Sequence, residues 1–108
     1  AVGGIQKAIS AVRSQIPHTL KVEIEVKDIE ELQEALIARA DIIMLDNMDV
    51  DKLKKAVEIA NGKALLEASG GITAGNIVEI AKTGVDYISV GALTHSAISV
   101  DISFNLEK

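Results

Sequence analysis

Lys21-Val22-Glu23-Ile24-Glu25-Val26 alternates charged and β-branched residues. That is the period of a strand with Val22, Ile24 and Val26 on one face and Lys21, Glu23 and Glu25 on the other. Asp28 follows as an N-cap with Glu31 three residues on to close a capping box, and Ile29, Leu32, Leu36 and Ile37 make the apolar stripe of a helix. The order then recurs. Residues 42–45 are a continuously apolar strand, Asp49 or Asp51 opens a helix whose Leu53, Val57 and Ile59 point inward, and Asn61-Gly62 closes it. Residues 64–68 make a third strand, Thr73 caps a helix carrying Ile77, Val78 and Ile80, Gly84 ends it, and residues 87–90 make a fourth strand. Upstream, Ile5, Ile9, Val12 and Ile16 keep helical spacing until Pro17 stops them.

Polar residues close these strands at a regular interval: Glu25, Asp46 and Glu67 are 21 residues apart, and Ser89 comes 22 later. A short strand, two loops and a helix of about 11 residues account for that period, and strands joined by helices run parallel through right-handed crossovers. In the first and third strands Val22, Ile24, Val26 and Leu65 are expected to meet helices, while Glu23, Glu25, Glu67 and Ser69 face a barrel interior. The fold class is therefore α/β, a parallel βα repeat forming about half of a TIM-like barrel, because a whole barrel takes about 250 residues. Residues 1–98 are assigned to the partial barrel and 99–108 to a segment leaving it. Four strands with open edges call for closure or association. The expected state is a fragment, or a half-barrel that pairs as a homo-oligomer, a dimer or higher.

Composition removes several classes of function. The 108 residues are 48% hydrophobic and carry 16 acidic against 11 basic side chains, with no cysteine. No apolar run approaches the roughly 20 residues of a membrane span. Disulfide frameworks and thiol chemistry are excluded, and the start lacks a signal-peptide pattern, so a cytoplasmic setting is expected. Two arginines, Tyr87 and Phe104 offer neither a basic surface nor a stacking platform, so nucleic acid is not an expected partner.

Two loops and two carboxylates carry the chemistry. Ser69-Gly70-Gly71-Ile72-Thr73 joins a strand to a helix, where glycines allow close backbone approach and helix-start amides attract an anion. Taken alone, the pair of glycines could equally make a tight turn. Gly91, Ala92, Leu93, Thr94 and His95 follow the next strand, and consecutive loops after the last strands of a barrel are its recurrent phosphate site. Glu25 and Asp46 end adjacent strands on the expected active face, where carboxylates need a cation, a hydroxylated ligand or a basic neighbour. Ribose hydroxyls or magnesium fit there, whereas Glu23 is assigned a salt bridge with Lys21 or Lys63. Asn47 is read as starting a loop, with no catalytic role. His18, beside Pro17, is assigned to the surface, and the acidic run from Asp28 and the basic run Lys52, Lys54, Lys55 to solvated helix faces.

Taken in order, Lys21-Val-Glu-Ile-Glu-Val26, Ile43-Met-Leu-Asp-Asn47, Glu67-Ala-Ser-Gly-Gly-Ile-Thr73, Ser89-Val-Gly-Ala-Leu-Thr-His-Ser96 and Asp101-Ile-Ser103 resemble the quinolinate phosphoribosyltransferases. The resemblance spans nearly the whole chain and is to the C-terminal half of that family's barrel domain. It implies an enzyme of NAD biosynthesis that makes nicotinate mononucleotide, pyrophosphate and carbon dioxide from quinolinate and phosphoribosyl pyrophosphate with Mg2+. By position it implies that Glu25 and Asp46 bind the ribose hydroxyls, directly or through magnesium, and stabilise charge at the anomeric carbon. Ser69, Gly70 and Gly71, with Gly91, Ala92, Leu93, Thr94 and His95, would hold the 5-phosphate. One departure is Arg39, where the family commonly has a glycine. The basic residues that grip quinolinate in the family belong to segments before residue 1 and to a neighbouring subunit, so the chain alone is expected to be inactive. The alternatives are a non-catalytic phosphate-binding half-barrel and a related pyrophosphorylase-like protein of molybdate operons.

Overall fold

The structure is a computed structural model and describes residues 4–90 and 98–101. Its elements alternate: α1 (Gly4–Arg13), β1 (Glu23–Val26), α2 (Ile29–Ile37), β2 (Ile42–Asp46), α3 (Val50–Ala60), β3 (Leu65–Ser69), α4 (Ile77–Ala81), β4 (Tyr87–Val90) and β5 (Ile98–Asp101). The sheet order is β1-β2-β3-β4-β5. The first four strands are parallel, as the 21-residue period requires.

Local chemistry sets the helix ends. Asp28 accepts the Glu31 N–H at 2.8 Å, and the Glu31 carboxylate reaches back to the N–H of Lys27, also at 2.8 Å, one residue beyond the expected capping box. Asp49, not Asp51, caps α3 by accepting from the Lys52 N–H at 2.8 Å. Asn61 ends that helix at φ 47, the left-handed conformation asparagine tolerates.

One core lies on one face of the sheet. Val26, Ile43, Leu45, Leu66, Ala68 and Ile88 from the strands pack with Leu32, Ala35, Leu53, Ala56 and Ile80 from the helices. The pairing register puts Glu23 and Glu25 beside Ile42 and Met44, and Ile42, Met44 and Asp46 beside Leu65, Glu67 and Ser69. These residues form the second face. No helix among the described residues covers it, which is how a segment of barrel wall is built: helices outside, the other face toward the lumen.

Several expectations need correction. Leu65 is 41% exposed on the lumen face, because it shares parity with Glu67 and Ser69, and Leu66 and Ala68 meet the helices instead. Ile37 is 67% exposed, since Ala35 rather than the last residue of α2 completes the buried stripe. The first helix ends at Arg13, short of Ile16. Helix α4 has only five residues and its N-cap is Asn76, not Thr73. The β4 edge is not open, because β5 pairs antiparallel with it from Tyr87↔Asp101 to Val90↔Ile98. That strand straddles the 98/99 boundary assigned from sequence.

Candidate functional site

Asp46 and Ser69 are register partners on the last rung of the β2–β3 ladder. Glu25 sits beside Met44, one same-face step earlier along the strands, so all three lie on the lumen face at its C-terminal edge. Asp46 and Ser69 are half-buried and Glu25 is exposed, so each can reach a ligand in the lumen.

The glycines after Ser69 fit closely against Asp46 and its successor. Gly70 has φ 84, and a Cβ there would lie 3.1 Å from both the Asn47 nitrogen and Asp46 Oδ1. Gly71 has φ 68, and its Cβ would lie 3.2 Å from Asn47 Oδ1. Both conformations are strained for a residue with a Cβ, and at Gly70 the backbone of Asn47 would also have to give by a few tenths of an ångström. The Asn47 N–H donates to the Ser69 carbonyl at 2.7 Å, extending the ladder one residue past β2.

Most of the helix-start amides expected to attract an anion are engaged within the turn. Thr73 N–H donates to Asn76 Oδ1 at 2.8 Å, and Gly75 N–H to the Thr73 hydroxyl at 3.2 Å. Asn76 and Ile77 N–H both donate to the Thr73 carbonyl, at 3.2 and 3.0 Å, and Asn76 Nδ2 donates to the Gly71 carbonyl at 2.8 Å. The turn thus engages the N–H groups of Thr73, Gly75, Asn76 and Ile77 internally, which takes most of the helix-start amides away from an anion. Gly91, Ala92, Leu93, Thr94 and His95 lie outside the described residues.

Below the rim, Glu23 meets a carboxyl rather than a lysine. Burial comes first in raising its pKa above the ordinary 4.5, followed by the charge of Glu67 and a side-chain hydrogen bond with it. The two carboxyls therefore meet across the β1 and β3 sides of the lumen face. Glu67 is only 6% exposed, and sequence reasoning did not anticipate this pair. His18 and Lys52, Lys54 and Lys55 are exposed, as expected.

No group of three or more acidic or histidine side chains among the described residues could hold a metal ion. Two carboxylates on neighbouring strands are nevertheless a donor set that suits magnesium, which typically takes one or two carboxylates together with phosphate oxygens of a substrate.

A parallel sheet with helices on one side and carboxylates, serine and glycines along the C-terminal rim of the other defines a segment of α/β-barrel wall, whose C-terminal rim is where such folds carry their ligands. The family model described as "Quinolinate phosphoribosyl transferase, C-terminal domain" matches residues 1–105. The chain belongs to that family. It is 45% identical over 113 residues to a probable carboxylating nicotinate-nucleotide pyrophosphorylase of Methanocaldococcus jannaschii, covering 98% of this chain and 40% of the relative. It is 40% identical over 106 residues to the protein of that name in Bacillus subtilis, covering 98% of this chain and 37% of the relative. The solved nicotinate-nucleotide pyrophosphorylase of Francisella tularensis superposes with TM-score 0.78 at 47% identity over 91% of this chain and 35% of that one. NadC from Streptococcus pyogenes superposes with TM-score 0.80 at 41% identity, over 93% and 35%. The chain thus spans about two fifths of the length of the curated relatives it matches. Mandelate oxidase, at 21% identity and TM-score 0.64, shares the fold alone.

Proposed function

We propose that this chain is the ribose-phosphate half of a carboxylating nicotinate-nucleotide pyrophosphorylase, which joins quinolinate to phosphoribosyl pyrophosphate and releases pyrophosphate and carbon dioxide. The observation that carries the proposal is the Asp46–Ser69 rung, with Glu25 one step below it and Gly70 packed beneath the Asp46 carboxylate. The names of the relatives favour this reading over a non-catalytic half-barrel or a molybdate-operon protein.

In this reading the Glu25 and Asp46 carboxylates accept hydrogen bonds from the ribose hydroxyls. As the bond from the anomeric carbon to pyrophosphate breaks, positive charge grows on the sugar, and two fixed carboxylates stabilise it more than they stabilise the neutral ground state. The backbone of Ser69, Gly70 and Gly71 receives the 5-phosphate, and Gly91, Ala92, Leu93, Thr94 and His95 complete the cradle. Glu25 and Asp46 would hold magnesium directly or through water, and the bound ion would supply countercharge for the departing pyrophosphate. Groups that grip the quinolinate carboxylates come from elsewhere than this chain, whose arginines are Arg13 and Arg39. Assembly into a homo-oligomer would cover the exposed lumen face. The acidic, cysteine-free composition supports a cytoplasmic setting.

The test is direct. An enzyme containing this chain should release carbon dioxide only when quinolinate, phosphoribosyl pyrophosphate and magnesium are all supplied. Release with nicotinate in place of quinolinate, or none with the three together, would contradict the assignment.

A further inference from the structure

Among the described residues, three other than glycine have positive φ: Arg39 (64), Asn47 (56) and Asn61 (47). Arg39 follows the C-cap of α2, and Asn61 is the C-cap of α3, where left-handed residues commonly end helices. Asn47 is different, because it follows directly on a strand, immediately after Asp46, and no helix end requires its conformation. Left-handed residues away from helix ends persist where the surroundings hold them, and functional rims are where they cluster.

Two contacts hold this one. The Asn47 N–H donates to Ser69 O at 2.7 Å, and Gly70 passes so close beneath that a Cβ would stand 3.1 Å from Asn47 N and Asp46 Oδ1 and 3.3 Å from Asn47 Cα. The left-handed turn at Asn47 therefore keeps the Asp46 carboxylate stacked over Gly70.

We infer that Asn47 is a positioning residue: its left-handed backbone locks the Asp46 carboxylate to the Ser69-Gly70-Gly71 loop, so that the sugar-binding and phosphate-binding parts of the rim keep one fixed separation. The inference rests on the function proposed above. It assigns the Gly70 requirement to clearance for Asn47 and Asp46, a reason that holds without any phosphate.

The experiment compares variants of the intact enzyme carrying this chain. Valine, with its branched Cβ, cannot easily adopt φ near 56, whereas glycine can. Asn47→Val should lower kcat/KM for phosphoribosyl pyrophosphate by about 10-fold or more, the scale of a small misplacement of a reacting group. KM for quinolinate should stay within about twofold, and Asn47→Gly should recover most of the loss, because it restores the backbone without the side chain. Gly70→Ala should show the same substrate pattern, and the double variant should lose less than the product of the single losses, as expected of two residues acting on one contact. A normal Asn47→Val enzyme, a glycine variant as impaired as the valine one, or independent losses in the double variant would overturn the inference. If Asn47→Val does not fold, Asn47→Ala read against Asn47→Gly makes the same comparison. Asp46→Asn separates the two readings: ordinary turnover there contradicts the proposed function, while a crippled Asp46→Asn beside a normal Asn47→Val contradicts only the positioning role.

Discussion

Asp41 and Asp86 make the same contact two βα units apart. Asp41 stands just before β2 and accepts the Val22 N–H at 2.7 Å, while Asp86 stands just before β4 and accepts the Leu66 N–H at 2.9 Å. Their own N–H groups answer, Asp41 to the Val22 carbonyl at 3.0 Å and Asp86 to the Leu66 carbonyl at 2.8 Å. Each aspartate thus ties the start of its strand to the preceding strand, at the end of the sheet opposite the candidate site. In such barrels the bottom of the sheet serves stability and the top serves ligands.

Replacing either aspartate by alanine leaves a strand N–H without its acceptor, so Asp41→Ala and Asp86→Ala should each cost about 1–2 kcal/mol. The Asp41 loss should depend on pH. Its pKa is held down first by the Val22 hydrogen bond, against some opposing burial, and then by the Arg13 guanidinium 3.2 Å away. A depressed folded pKa gives stability that is present above the ordinary value of 3.8 and lost as pH falls through the lowered one. Denaturant titrations from neutral to strongly acidic pH should therefore show the Asp41→Ala deficit shrinking toward the acid end; a deficit independent of pH would contradict the assignment.

Glu23 should behave in the opposite sense. Its raised folded pKa means that its contribution is complete below 4.5 and is lost as pH rises through the raised value, when the Glu23 and Glu67 charges oppose each other. Gln at position 23 keeps a donor for Glu67 without ionising. Glu23→Gln should raise the melting temperature at neutral pH and leave it unchanged near pH 3, roughly below the range where carboxyls titrate. A variant less stable at neutral pH would mean that Glu23 meets a cation instead.

Arg39 occupies φ 64 beyond the C-cap of α2. A left-handed conformation costs a residue with a Cβ about 1–2 kcal/mol, part of which glycine returns through its freer unfolded chain. Arg39→Gly should therefore stabilise the protein by about 0.5 kcal/mol, and Arg39→Val should destabilise it, since a branched Cβ fits this region worst. Chemical denaturation of the three proteins orders them; glycine below arginine would contradict the strain argument.

The parallel wall was legible because its signals are local and repeated: capping aspartates, apolar stripes and carboxylates at 21-residue intervals. Errors came where a signal is degenerate. Leu65 was assigned to the helix face although it shares parity with Glu67, and the continuous run Leu65-Leu66 gives no alternation to choose between the two. Thr73 and Asn76 are both good caps, and the choice depends on which amides the turn satisfies internally. Strand β5 reverses direction after β4, so no βα period announces it, although Ile98-Ser99-Val100-Asp101 has the alternation of a strand. The rim placement of Glu25 and Asp46 could be read from strand ends, whereas the left-handed conformation of Asn47 could not. It meets Ser69 and Gly70, far along the chain, and no spacing rule connects them.

Turnover of an enzyme containing this chain, with Asp46→Asn and Glu25→Gln, tests the central claim that the lumen-face carboxylates stabilise charge on the ribose. Each substitution keeps shape and removes charge, so melting temperatures should change little while kcat falls by about 10²-fold or more, the scale of losing one electrostatic stabiliser of a transition state. Ordinary kcat together with an ordinary KM for phosphoribosyl pyrophosphate in both variants would show that Glu25 and Asp46 are no more than polar lining of the barrel wall.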